Sequence, residues 1–269
     1  MSLKSLIVQL NNTVIVTTGD KGGVGKTTVT QAVLDTLLLN SIPYFVAQVD
    51  RQDRLAQMNQ VEVLTIPSDP EGMTTDPESE FRRFGPLMDL IIGAAGDGTA
   101  VVDLGANELD RFCAWAKLSD LDGAIEDTNQ SVVALVVFNA EEQSIVQAGK
   151  SIKAITDTLS MAQVVLVENQ RFGRINDLAP GSDVAVTYAR EIGPFLKRYP
   201  KVTVPAVRGN SYQRFEHRRL SFGAVAVMSP AQIMEITGLG MADARIARGD
   251  IAKWLEVVSD QFEHLLGMK

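Results

Sequence analysis

Residues 14–39, VIVTTGDKGGVGKTTVTQAVLDTLLL, constrain the fold more than any other part of the chain. A β-branched apolar run ends near Thr18, a glycine-rich turn follows, and an amphipathic helix begins at about Lys26. Gly22, Gly23 and Gly25 lack Cβ atoms, so the backbone there can curl with its N–H groups pointing inward at an anion. The helix N-terminus adds its partial positive charge at the same point. Lys26 brings a full charge to the β- and γ-phosphates of such an anion, and Thr27 offers a hydroxyl to Mg²⁺.

The rest of the chain repeats the strand-then-helix rhythm. Candidate strands are Thr13–Thr17, Tyr44–Val49, Thr99–Leu104, Ser131–Phe138, Gln163–Glu168 and Val202–Val204. Between them lie helical patterns at Lys26–Leu39, Pro77–Ala94, Glu108–Lys117, Glu141–Leu159 and Ser182–Tyr199. Apolar runs that do not alternate with polar residues indicate a sheet covered on both faces. The expected fold is therefore α/β: a mostly parallel, doubly wound sheet with helices on both faces, like that of P-loop NTPases. Residues 66–76 are rich in Pro, Gly, Asp and Thr and read as a loop. Beyond Pro205 the strands stop, so residues 1–269 read as a single domain with a helical C-terminal part from about 206. Ser229-Pro230 fits a helix cap and first turn.

Composition excludes several chemistries. A single cysteine, Cys113, rules out an internal disulfide or a CxxC pair, and two histidines do not make a His-rich metal site. No apolar run is long enough to span a membrane, and the N-terminal stretch is interrupted by Gln9, Asn11 and Asn12, unlike a secretory signal. The expected setting is cytoplasmic. A net charge of −8 argues against a surface coated all round for nucleic acid, while leaving room for a local basic face.

The generic pattern G-x-x-x-x-G-K-[ST] wants glycine at Asp20, and here Lys21 precedes the glycine pair. This K-G-G-x-G-K-T-T form resembles the deviant Walker A box of the ParA and MinD positioning ATPases. The resemblance implies that Gly22, Gly23, Val24, Gly25, Lys26, Thr27 and Thr28 bind the phosphates of ATP. It also implies that Lys21 reaches across a homodimer interface to the partner's nucleotide. Members of that family carry a D-x-D-P-Q-like box at the end of the next strand; Asp50 and Gln52 match it, whereas Gln48 and Arg51 depart from it. Asp103 matches the Walker B carboxylate, with Gly105 two residues on. By resemblance, Thr27, Asp50 and Asp103 serve Mg²⁺, Asp50 positions the attacking water, and Lys21 and Lys26 neutralise developing charge. Asn169, Pro205, Ala206 and Val207 fall where the family contacts adenine.

The resemblance implies an ATP-driven switch with slow, partner-stimulated hydrolysis. The tracts VVDLGANELDRF and VPAVRGNSYQRFEHRRLSFGAVA are similar to plasmid mobilisation or conjugal-transfer relatives, so the implied partner belongs to a DNA transfer or segregation machinery. Two alternatives stand beside it: a dethiobiotin-synthetase-like ligase or small-molecule kinase, and a nucleotide-gated scaffold with little hydrolysis.

Between Lys197 and Arg219 the chain carries Lys197, Arg198, Lys201, Arg208, Arg214, Arg218 and Arg219 against one acid, Glu216. One reading is a DNA-backbone contact surface; the other is that these residues pair with the acidic remainder or border the nucleotide. The terminal stripe of Ile251, Trp254, Leu255, Val258, Phe262 and Leu265 belongs to a helix whose polar face is acidic, so it is expected to pack on the core and not on a membrane. Cys113 and Trp115 are expected in the core or at an interface.

Overall fold

The computed structural model describes residues 6, 10–51, 53–58, 62–67, 81–208 and 211–268. Gln52, most of the 66–76 loop and the start of the 77–94 helix lie outside the described residues. The strands are β1 (Asn12–Thr18), β2 (Tyr44–Val49), β3 (Val63–Ile66), β4 (Gly98–Leu104), β5 (Ser131–Phe138), β6 (Gln163–Asn169) and β7 (Lys201–Val204). The helices are α1 (Lys26–Leu39), α2 (Arg54–Met58), α3 (Gly85–Gly93), α4 (Leu109–Leu118), α5 (Leu121–Asp127), α6 (Glu142–Thr156) and α7 (Asp183–Glu191). After β7 come α8 (Ser211–Glu216), α9 (Phe222–Val227), α10 (Pro230–Thr237) and α11 (Met241–Leu265).

The strands form one sheet in the order β3-β2-β4-β1-β5-β6-β7, and every pairing is parallel. Successive side chains on a strand point to opposite faces. Accordingly Val14 and Val16 of β1 enter one core cluster with α3 to α6, while Ile15 enters the other with α1 and the C-terminal helices. β5 divides the same way: Val132, Ala134, Val136 and Phe138 on one side, Val133, Leu135 and Val137 on the other. A strand with two apolar faces must be unbroken in hydrophobicity, which is why the apolar runs do not alternate. Each such side chain contributes ~1.5–3 kcal/mol on burial.

β1 lies between β4 and β5, so the chain winds outward from β1 in both directions. Loops leaving the C-terminal ends of these central strands meet at the resulting crevice. The register sets Thr17 of β1 and Gln48 of β2 beside Asp103 of β4.

Helix α1 is buried on most of its surface, between the sheet and the C-terminal helices. Polar ties fix the latter to it. The Gly223 N–H donates to Asp35 Oδ2 at 3.0 Å, the Thr36 hydroxyl to Ser259 Oγ at 2.9 Å, and Asn40 Nδ2 to Glu263 Oε1 at 3.0 Å. The expected stripe on α11 is buried throughout, as are Cys113 and Trp115. No described helix is long and apolar enough to cross a membrane.

Several boundaries differ from expectation. The helix expected over 182–199 ends at Glu191, because Gly193-Pro194 supplies a residue that resists helical geometry and a proline without an N–H; a 3₁₀ turn, Gly193–Phe195, follows. The short edge strand β3 and helices α2 and α5 were not anticipated, and α11 begins well before Asp250. Ser229 does cap α10: its hydroxyl accepts from the Gln232 N–H at 3.3 Å, and the Gln232 side chain closes a capping box.

Candidate functional site

The glycine turn between β1 and α1 is held from outside. Gly25 has φ 94°, a left-handed conformation that side chains resist, and a Cβ there would overlap Asn169 Nδ2. That nitrogen donates to the Val24 carbonyl at 2.8 Å, while the Val24 side chain is buried in the core below. No side chain caps α1, so the N–H groups of its first turn are left for a ligand. Gly22, Gly23, Gly25, Lys26, Thr27 and Thr28 all line a cleft of about 800 Å³.

Lys26 is only 7% exposed, and its Nζ donates to the carbonyls of Gly19 (2.8 Å) and Lys21 (3.1 Å). Burial pushes its ammonium below the usual lysine value, against the opposing pull of Asp103, Asp20 and Asp50. Beside it, the Thr27 hydroxyl donates to Asp103 Oδ2 at 2.9 Å and the Thr30 hydroxyl to Oδ1 at 3.1 Å. Burial raises the Asp103 carboxyl to about 6 despite these bonds and the neighbouring Lys26. A buried carboxylate next to a hydroxyl fits magnesium, which takes few protein ligands and completes its shell with phosphate and water. No cluster of three or more His, Cys, Asp or Glu suited to a metal occurs among the described residues.

Asp50 also lines the cleft. Gly105 passes close to it: a Cβ on Gly105 would stand 2.7 Å from the Val49 carbonyl oxygen and 2.9 Å from Asp50 Cγ. Gln48, one of the departures from the family box, faces elsewhere. Its Oε1 accepts from the N–H groups of Leu55 (3.0 Å) and Ala56 (3.3 Å), and its Nε2 donates to Thr65 Oγ1 at 3.0 Å. It therefore caps α2 and ties it to β3. Arg51, the other departure, lines the cleft with Arg54.

Lys21 is ion-paired to Glu141 at the start of α6, a partner that sequence inspection did not find. The bond from Lys21 holds the Glu141 carboxyl below its usual range, assisted by Asn139 Nδ2 at 3.1 Å. A second cleft of about 440 Å³ opens beside Lys21 against Glu142, Gln143 and Gln147. Glu108, which lines the main cleft, is 2% exposed and receives Arg83 Nη2 at 2.7 Å and Arg111 Nη1 at 3.2 Å.

The residues expected at adenine stand differently. Asn169 is 4% exposed; besides Val24, it accepts from the Arg171 N–H at 3.1 Å. The Pro205 carbonyl accepts from Trp254 Nε1 at 2.6 Å. Neither these two nor Ala206 and Val207 line the main cleft, whereas Arg171, Tyr212, Glu216, His217 and Arg219 do.

The basic stretch is also divided. Lys197 and Arg198 precede β7, at the edge of the sheet where strands begin, whereas Arg208, Arg214, Arg218 and Arg219 follow it at the other edge. Between them, Lys201 donates to the buried Glu168 at 2.7 Å. Two groups replace the single face that the sequence suggests.

An all-parallel sheet with a glycine turn leading from its central strand into a helix defines a P-loop α/β fold. No protein-family model matches the chain, and no curated protein does. Among solved structures it is similar to MinD of Pyrococcus horikoshii complexed with Mg-ADP, with 14% identity, 95% of this chain and 98% of that chain covered, and a TM-score of 0.52. An ATP complex of McdA from Cyanothece aligns at 12% identity over 93% and 98% of the two chains with a TM-score of 0.46. Apo McdA aligns at 13% over 90% and 99%, with 0.45. The fold is the one seen in MinD, as the resemblance implied.

Proposed function

We propose that the chain is a Mg-ATP-dependent switch of the ParA/MinD type, an ATPase that forms a homodimer when ATP is bound. Its service would be plasmid DNA transfer, mobilisation or partition, in the cytoplasm. The observation that carries this reading is the 2.9 Å bond between Thr27 and Asp103, set directly beside the buried Lys26 and the uncapped start of α1. A phosphate chain and a small divalent cation are the ligands that such a group suits. The MinD structure that shares the fold is itself a Mg-ADP complex.

The loop amides and Lys26 bind the phosphates. Thr27 and Asp103 hold the cation, which supplies Lewis-acid charge at the phosphate oxygens when bound. Asp50, at the same mouth, orients the attacking water, and Lys21 exchanges Glu141 for charge developing on the partner's nucleotide. Of the basic residues expected to contact DNA, the group Arg208, Arg214, Arg218 and Arg219 is the one proposed to do so, a role that ATP-dependent filter retention at low salt tests.

The decisive experiment is size-exclusion chromatography with ATP, ADP and no nucleotide, on wild type and Lys21→Ala. ATP is expected to double the wild-type mass and leave Lys21→Ala monomeric, though still able to bind nucleotide. Full ATP turnover by a protein that stays monomeric in all three conditions would sink the proposal.

A further inference from the structure

We propose that the base of a bound nucleotide stacks on Tyr212, which closes an aromatic column at one wall of the main cleft. The proposal rests on the reading that the glycine turn binds a nucleoside triphosphate.

The column starts inside the protein. Trp254 of α11 anchors it through its bond to the Pro205 carbonyl. Phe222 packs on Trp254 with centroids 4.1 Å apart, and Tyr212 lies nearly parallel to Phe222 at 4.5 Å and 17°. Phe222 is fully buried, whereas Tyr212 is half-buried and lines the cleft. One ring face is therefore backed by a rigid apolar stack, and the residue fronts the space next to the phosphate turn. The phenol oxygen interacts with the Thr28 side chain, one residue beyond the proposed metal-binding threonine. Arg171 and Glu216 line the same wall.

The alternative base contacts are engaged elsewhere. Both polar atoms of the Asn169 amide have backbone partners, and that residue shapes the turn without lining the cleft. The Pro205 carbonyl belongs to Trp254. Every nucleobase has a π-face, and stacking on an aromatic side chain strengthens binding without a hydrogen-bonding code. A purine, with the larger face, suits the site best.

The test compares the affinities of ATP and inorganic tripolyphosphate for wild type, Tyr212→Phe and Tyr212→Leu by calorimetry. Tripolyphosphate reports the phosphate turn alone. Tyr212→Phe is expected to keep the wild-type ratio of the two affinities, and Tyr212→Leu to lower that ratio about tenfold. A ratio unchanged in Tyr212→Leu, even with both ligands weakened by loss of packing, overturns the proposal. In the wild type, nuclear Overhauser contacts are expected between the adenine H2 and H8 protons and a tyrosine ring; their absence overturns it without any variant. A wild-type protein that binds neither ligand refutes instead the nucleotide-binding reading on which the proposal stands.

Discussion

The side-chain amide nitrogen of Asn169 stands where a methyl group on Gly25 would have to go. The end of β6 thus sets the curvature of a turn 145 positions earlier in sequence, through a bond to the Val24 carbonyl at 2.8 Å. The anion-binding shape of the turn is a tertiary property as much as a local one.

Gly25→Ala is accordingly expected to abolish nucleotide binding. The left-handed backbone costs about 1–2 kcal/mol for an alanine, and the overlap with Asn169 adds to it. Asn169→Ala in the same chain relieves only the overlap, so the double variant is expected to recover folding stability more than affinity. Thermal unfolding and calorimetry on the two proteins separate these effects.

Glu141→Gln should ease dimerisation. In the free chain the Lys21 ammonium is held by the Glu141 carboxylate, and the proposed interface requires it to leave. The pair is partly exposed, so its strength is modest, and the ATP concentration at half-dimerisation is expected to fall about 2–5-fold. Light scattering over an ATP titration measures it.

Asp103→Asn keeps the shape of the site and removes its buried charge. Magnesium-stimulated turnover is expected to fall at least about 100-fold, while ATP affinity in the presence of EDTA stays near the wild-type value. A phosphate-release assay and calorimetry in parallel give the two numbers.

Asp35 predicts a pH effect on stability. Burial raises its carboxyl from 3.8 to about 6 in the folded chain, against the bonds from Gly223 and Gln31. A folded-state value above the unfolded one means that the protonated form is favoured by folding. The contribution is then fully present below about pH 4 and lost as pH rises through about 6. Asp35→Asn retains an acceptor for the Gly223 N–H without the charge. It is expected to be about 1–3 kcal/mol more stable than wild type at about pH 8, with the difference vanishing near pH 4. Urea unfolding at three pH values tests the sign.

Gln48→Ala leaves two N–H groups of α2 without their shared acceptor and releases Thr65. A loss of about 1–3 kcal/mol is expected, with the nucleotide affinity little changed. Denaturant unfolding and nucleotide titration of the same preparation check both halves.

The central strands and the glycine turn could be read directly because each residue announces its environment: 131–138 is apolar at nearly every position since both faces are covered. Lys26 and Thr27 follow from the glycine turn and Asp50 and Asp103 from strand ends, and one cleft or one bonded group brings them together. The four-residue β3 is too short to leave a period. Glu141, Arg171 and Tyr212 come to the site from distant loops and helices, and nothing in their local sequence points there. Gln48 looked like a lost acid within a family box, yet its amide performs a capping task that only the packed neighbour reveals. The basic stretch shows the opposite failure: residues close in sequence were separated by a strand that runs from one sheet edge to the other.

Helix α1 leaves the phosphate turn and is fastened to α9 and α11 at Asp35, Thr36 and Asn40. Two of those fastenings join residues 223 positions apart, so the first helix of the fold and the last one share a single bonded seam. The helix that opens with the phosphate-turn lysine is therefore anchored at its far end by the C-terminal helices, not by the sheet alone.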